Sequence, residues 1–250
     1  MKKYLAVLAC MALACSIALA GCSGGTSSSS TEAEDSGSAE VGTVGGWTVN
    51  GEATNQGLVE DQKEVFDKAI AELDGVDYEP IAVVAQQLVA GMNYAYLCQG
   101  TTVTAEPVTG WYIVTVYKDL QDNASITAIN EIALDDVKVT DDTPGAEAAG
   151  AWEVPDSIAG AKLPAEAEEA YIAAMEQYTG VDASPVVLLG SQVVAGTNYK
   201  VLCIGAPVTQ NPVNSLYVAT VYQDPENKCE ISDMQVLDLA YYVTDQEAAE

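Results

Sequence analysis

Residues 86–100 read QQLVAGMNYAYLCQG and residues 191–205 read SQVVAGTNYKVLCIG, so one apolar passage occurs twice at a spacing of 105. In each, a Gln stands four residues ahead of a Gly with a Val between them: Gln87, Val89 and Gly91, then Gln192, Val194 and Gly196. The same period runs outward without a gap. Trp47 falls on Trp152, Phe66 on Tyr171, Gly75 on Gly180, Cys98 on Cys203, Tyr117 on Tyr222 and Asp119 on Asp224. Solenoid units repeat every 20 to 50 residues or so, and this period is far longer, so each copy is expected to be a whole globular domain.

Each copy opens on a short apolar segment around its Trp and then shows helical periodicity. Val65, Phe66, Ala69, Ile70 and Leu73 share one face of the first helix, and Tyr171, Ala174, Met175 and Tyr178 share one face of the second. Pro164 suits the first turn of the second helix, and Gly75 and Gly180 are expected to end the two. Three strand-like runs follow in each copy: 80–100 (which folds back at the quoted passage), 110–119 and 125–134, then 185–205, 215–224 and 230–243. Strand alternation puts Lys200 and Leu202 on one face and Tyr199, Val201 and Cys203 on the other, toward the helix. The order of one strand, one helix and four strands predicts an α+β fold, each copy a curved antiparallel sheet wrapped around one helix. The quoted passage then falls at a hairpin tip, where Gly91 and Gly196 supply a positive φ.

The chain carries 37 Asp and Glu against 9 basic residues and no His, a formal charge of −28. A phosphate backbone needs Lys or Arg to neutralise it, so nucleic acid is excluded as an expected partner. The same balance steers basic proteins or peptides toward the chain. With no imidazole to activate a thiol or act as general base, an enzyme is not expected. The loop DGVDYE at 74–79 lacks calcium-loop spacing, and no metal or cofactor is expected.

At the N-terminus, two lysines, a short apolar run and small residues precede Cys22, the pattern of an export signal. Leu19-Ala20-Gly21-Cys22 resembles a bacterial lipobox, which implies cleavage before Cys22, a diacylglyceryl group in thioether linkage to its sulfur and attachment to the extracytoplasmic face of a bacterial membrane. Two or more acyl chains make a lasting anchor where one does not. Of six cysteines, Cys10 and Cys15 leave with the signal. Cys98, Cys203 and Cys229 remain, too few for an even disulfide framework, and Cys98 and Cys203 read as small buried hydrophobes. The expected organisation is a signal at 1–21, a Ser/Gly/acidic tether at 22–45, a first domain at 46–139, a linker at 140–150 and a second domain at 151–250.

The Gln-x-Val-x-Gly hairpins after a helix, with glycines shortly before the first strand, resemble the cystatins across both copies. That resemblance implies two tandem cystatin-like domains. It also implies a wedge of N-terminal trunk and hairpins that enters the cleft of papain-like cysteine proteases without offering a cleavable bond. Carried over, the trunk is Gly45 and Gly46 in copy one and Gly150 in copy two; the first hairpin is Gln87, Val89 and Gly91, then Gln192, Val194 and Gly196. The family's second hairpin usually carries Pro-Trp. This chain has DLQDNAS at 119–125 and DPENKCE at 224–230 instead, which removes about 2 kcal/mol or more of apolar burial from an inhibitory wedge. The alternative expectation is a non-inhibitory peptide- or protein-binding module on the cell envelope.

Overall fold

The computed structural model describes residues 45–54, 57–134, 150–156 and 162–245. The signal at 1–21, the lipobox Cys22 and nearly all of the tether and linker lie outside them. Copy one forms β1 (Trp47–Val49), a 3-10 turn (Gly51–Thr54), α1 (Glu60–Ile70), β2 (Val76–Val89), β3 (Gly91–Thr102), β4 (Thr109–Lys118) and β5 (Ala124–Glu131). Copy two forms α2 (Ala165–Met175), β6 (Val181–Val194), β7 (Gly196–Pro207), β8 (Ser215–Gln223), β9 (Cys229–Val236) and a helical turn, α3 (Leu239–Tyr242). Both sheets are antiparallel with neighbours in chain order, five strands in the first and four in the second. The strand that would match β1 is reduced to one bridge, Glu153 to Ser191.

The duplication extends to irregularities. β2 shifts register between Pro80 and Ala82 and again between Val83 and Ala85; β6 does so between Pro185 and Val187 and between Leu188 and Gly190. Each proline lacks the N–H that a ladder needs, and a bulge beside it accommodates the loss.

The expected α+β class, with each sheet wrapped around its own helix, is not what forms. The protein is mostly antiparallel sheet, and its largest core lies between the two sheets. Val84, Ala85, Leu97, Trp111 and Ile113 of the first pack with Val187, Leu189, Leu202, Leu216 and Val218 of the second. The reason lies in the strands themselves. Residues 81–85 of β2 and 186–190 of β6 are buried without alternation, as a strand covered on both faces must be. The helices, eleven residues each, cover only the outer faces, where Phe66 meets Tyr96 at a ring separation of 4.9 Å and Tyr171 packs among Tyr199, Val201 and Cys203. Leu202 faces the shared core instead.

Two further expectations are corrected. Both helices end at Ile70 and Met175 with right-handed caps, before Gly75 and Gly180 are reached. Those glycines, at φ +97° and +122°, open the following strands, and their carbonyls accept from Val103 N–H and Val208 N–H, each at 2.9 Å. The last run stops as a strand at Val236, and Asp238 then caps a helical turn through its side chain, accepting from Ala240 N–H at 3.1 Å.

The copies exchange their tails. Leu134, just past β5, lies over the second sheet: its carbonyl accepts from Lys200 Nζ, and the missing Cβ of Gly190 leaves room for its side chain. Past β9, the carbonyls of Tyr242 and Thr244 accept from Asn130 Nδ2 on the first sheet, each at 2.8 Å. Trp111 Nε1–H donates to Leu189 O at 2.7 Å, and Gln99 Nε2 donates to Pro155 O at 2.6 Å. The sheets therefore run in opposite senses. A surface recess brings Thr109, Gly110 and Trp111, at the end of sheet one remote from its Val89–Gly91 turn, beside Gly150, Trp152 and Gln192, next to the turn of copy two.

Candidate functional site

The Gln-x-Val-x-Gly passages form two hairpin turns, at Ala90 between β2 and β3 and at Ala195 between β6 and β7. The motif residues brace these turns from within. Gln87 Nε2 donates to the trunk carbonyl of Gly45 at 2.8 Å, while its Oε1 accepts from Asn93 Nδ2 at 2.7 Å. Gln192 does the same with Gly150 O at 2.8 Å and Asn198 Nδ2 at 3.1 Å. In copy two the trunk also pairs by backbone, Gly150 N–H donating to Val193 O at 2.9 Å.

Gly91 and Gly196 hold φ of +128° and +122°, a region that side chains disfavour. A Cβ at Gly91 would collide with the Lys118 carbonyl oxygen, and one at Gly196 with that of Gln223. That close approach lets the neighbouring strand seal each turn. Tyr117 OH donates to Ala90 O at 2.5 Å, and Tyr222 OH donates to Ala195 O at 2.6 Å. The Gln-to-Gly spacing thus has a local structural cause: one residue ties the trunk, the other admits the Tyr-bearing strand.

The side chains left outward are apolar. Leu88 is 56% exposed and Val89 39%; in copy two Val193 is 69% exposed, while Val194 is half-buried. The position before the motif Val is therefore the more outward one, and reading the motif alone misses Leu88 and Val193. Their apolar character in both copies was the available signal. Gly45, Gly46 and Gly150 are exposed at the trunks.

Strand order sets the trunk, the first turn and the β4–β5 turn side by side. Trp47 pairs Gln87, Gln87 pairs Asn93, Asn93 pairs Tyr117 and Tyr117 pairs Ser125, one row across the sheet. Just beyond that row the β4–β5 turn is held by Asp119, whose Oδ1 accepts from Gln121 N–H at 2.8 Å and Asn123 N–H at 2.9 Å. Hydrogen bonds, that of the Asn123 side chain foremost, hold the Asp119 carboxyl below its ordinary value. Asp224 builds the same turn with Glu226 and Lys228. The turns are less alike than their Asp residues suggest. Leu120 is 77% exposed on the first, whereas Pro225 takes its place on the second.

The remaining thiols are shielded. Burial pushes the Cys203 thiol up to about 12 and lifts Cys98 well above its ordinary range, so both are protonated at neutral pH. Among the described residues no three His, Cys, Asp or Glu side chains gather closely enough to hold a metal, and no helix is long and apolar enough to cross a membrane. No protein-family model matches the chain, and no curated protein sequence matches it.

Proposed function

We propose that the chain is a lipid-anchored envelope protein that binds a partner protein by inserting a braced apolar hairpin tip into a groove. The observation that carries this reading is the repeated Gln-to-trunk hydrogen bond, Gln87 to Gly45 and Gln192 to Gly150, beneath exposed Leu88, Val89 and Val193. A tip held by side-chain bonds to its own trunk loses little conformational freedom on docking, so more of its contact energy appears as affinity. Fully burying one such aliphatic side chain contributes about 1.5–3 kcal/mol. The resemblance to cystatins supplies the class of groove: the cleft of a papain-like cysteine protease, blocked without cleavage.

Inhibition of papain by the detergent-solubilised full chain tests the proposal. Dose-dependent inhibition, lost in the combined Leu88→Asp and Val193→Asp variant, is the expected outcome. No inhibition at tens of micromolar sinks the inhibitory form of the reading.

A specific observation favours a second form, in which the same tips bind without inhibiting. The Asp119 and Asp224 turns present carboxylates and backbone where an inhibitory wedge has an aromatic ring. Binding of papain without loss of its activity would select that form.

A further inference from the structure

Building on the proposed docking tips, we infer that the chain is bivalent, with two unequal tips at opposite ends of one rigid body that engage two partner molecules at once. The recess shared by Trp111 and Gln192, together with the Trp111 to Leu189 hydrogen bond, fixes the two sheets head to tail. From the Ala90 turn along β3 to Gln99, which pairs Trp111, and then from Leu189 along β6 to the Ala195 turn, the path spans about 50 Å at the usual strand rise of ~3.3 Å per residue. No single groove takes two tips so placed. A globular partner of ordinary size, with a radius of gyration of about 16 Å for ~200 residues, fits at each end without meeting the other.

The shared core keeps this geometry from relaxing. The sheets are joined by eighteen buried residues in one cluster and by the exchanged tails at Lys200 and Asn130. The tips differ in what they offer. The end at Ala90 presents Leu88, Val89 and, on the adjacent turn, Leu120; the end at Ala195 presents Val193 beside Pro225 and a half-buried Val194. The first tip is therefore the stronger. The favoured occupant is a protein with a narrow apolar cleft and a basic rim, because Asp119 flanks one tip and Asp224 and Glu226 the other, on a chain of net charge −28, while Asp122 is already paired with Lys118 at 2.8 Å.

Stoichiometry decides it. Papain with its active-site thiol alkylated is titrated against the full chain in detergent, and complex mass is read by light scattering. Two papain molecules per chain are expected at saturation, the first bound at least tenfold tighter. Leu88→Asp with Leu120→Asp should leave one weak site, and Val193→Asp one tight site; the milder Leu88→Ser and Val193→Ser serve as replicates, each variant required to keep the wild-type unfolding midpoint. A plateau at one papain per wild-type chain, or loss of both sites in a single-tip variant, overturns bivalency while leaving tip docking intact. No complex with any chain overturns the docking reading itself.

Discussion

Trp111 of the first sheet donates its indole N–H to the carbonyl of Leu189 in the second, at 2.7 Å and within their common core. This bond crosses between the copies, so its loss is felt by both. Trp111→Phe keeps most of the ring volume but deprives a buried carbonyl of its donor, an expected cost of about 1–3 kcal/mol. Trp111→Ala adds a cavity and should cost about 3–5 kcal/mol. Urea unfolding followed by both circular dichroism and tyrosine fluorescence should show one transition moving to lower denaturant. Two separate transitions would contradict a shared core.

The turn glycines give a graded pair of substitutions. Gly91→Ala and Gly196→Ala combine an unfavourable φ with a collision against a backbone carbonyl, and each should lose more than about 1–2 kcal/mol. Gly45 also has a positive φ, +89°, but nothing lies within 4 Å of its would-be Cβ. Gly45→Ala should therefore cost only the backbone term, about 1 kcal/mol. Equal losses at all three positions, in thermal melts, would count against the strand-contact account.

Glutamine at 192 is predicted to hold the second trunk in place. Gln192→Glu retains an acceptor for Asn198 yet turns a carboxylate toward the Gly150 carbonyl in place of a donor. The amides of Gly150 and Glu153, bonded to Val193 and Ser191, should then exchange with solvent about tenfold faster, while the β7–β8 ladder is unchanged. Unaltered exchange at Gly150 would show that backbone pairing alone secures the trunk.

Alkaline pH should weaken the fold through buried groups. Burial lifts Cys203 from 9.0 to about 12, lifts Tyr78 from 10.0 to about 12, and raises Tyr96 and Tyr171 as well. Each folded value lies above the unfolded one, so the fold favours the protonated form. Its contribution is complete below the unfolded value and declines as pH climbs from 9.0 toward about 12. Cys203→Ala should flatten the onset of that decline in denaturant midpoints. A thiol reagent should find Cys98 and Cys203 only after unfolding, and rapid native labelling would refute their burial.

How far the fold could be read from residues depends on the residue. The spacing from Trp47 to Trp152 and from Tyr117 to Tyr222 carries the duplication, and the strand segments follow from alternation around Tyr199, Val201 and Cys203. What alternation could not convey was the partner of the second face. The run from Ile81 to Ala85 is apolar throughout, the mark of a strand covered on both sides, yet a run of that kind does not say what covers it. Lys200 misleads in the same way: a lysine suggests a wet face, but here it is 0% exposed, reaching the Leu134 carbonyl and lying 4.4 Å from the Trp152 ring centre. At the candidate site, the motif glutamines and glycines stood out because they repeat. Leu120 did not, because its counterpart is Pro225.

The exchanged tails carry a lesson about ancestry. A solitary repeat would leave Ile113 and its neighbours against water and would have nothing to receive its C-terminal tail, whereas two identical repeats set head to tail would satisfy each other. The present chain has the form of such a homodimer whose protomers became fused end to end. Nicking it between residues 135 and 149 should consequently yield two fragments that stay together through gel filtration, and co-expressed halves should reassemble without the join.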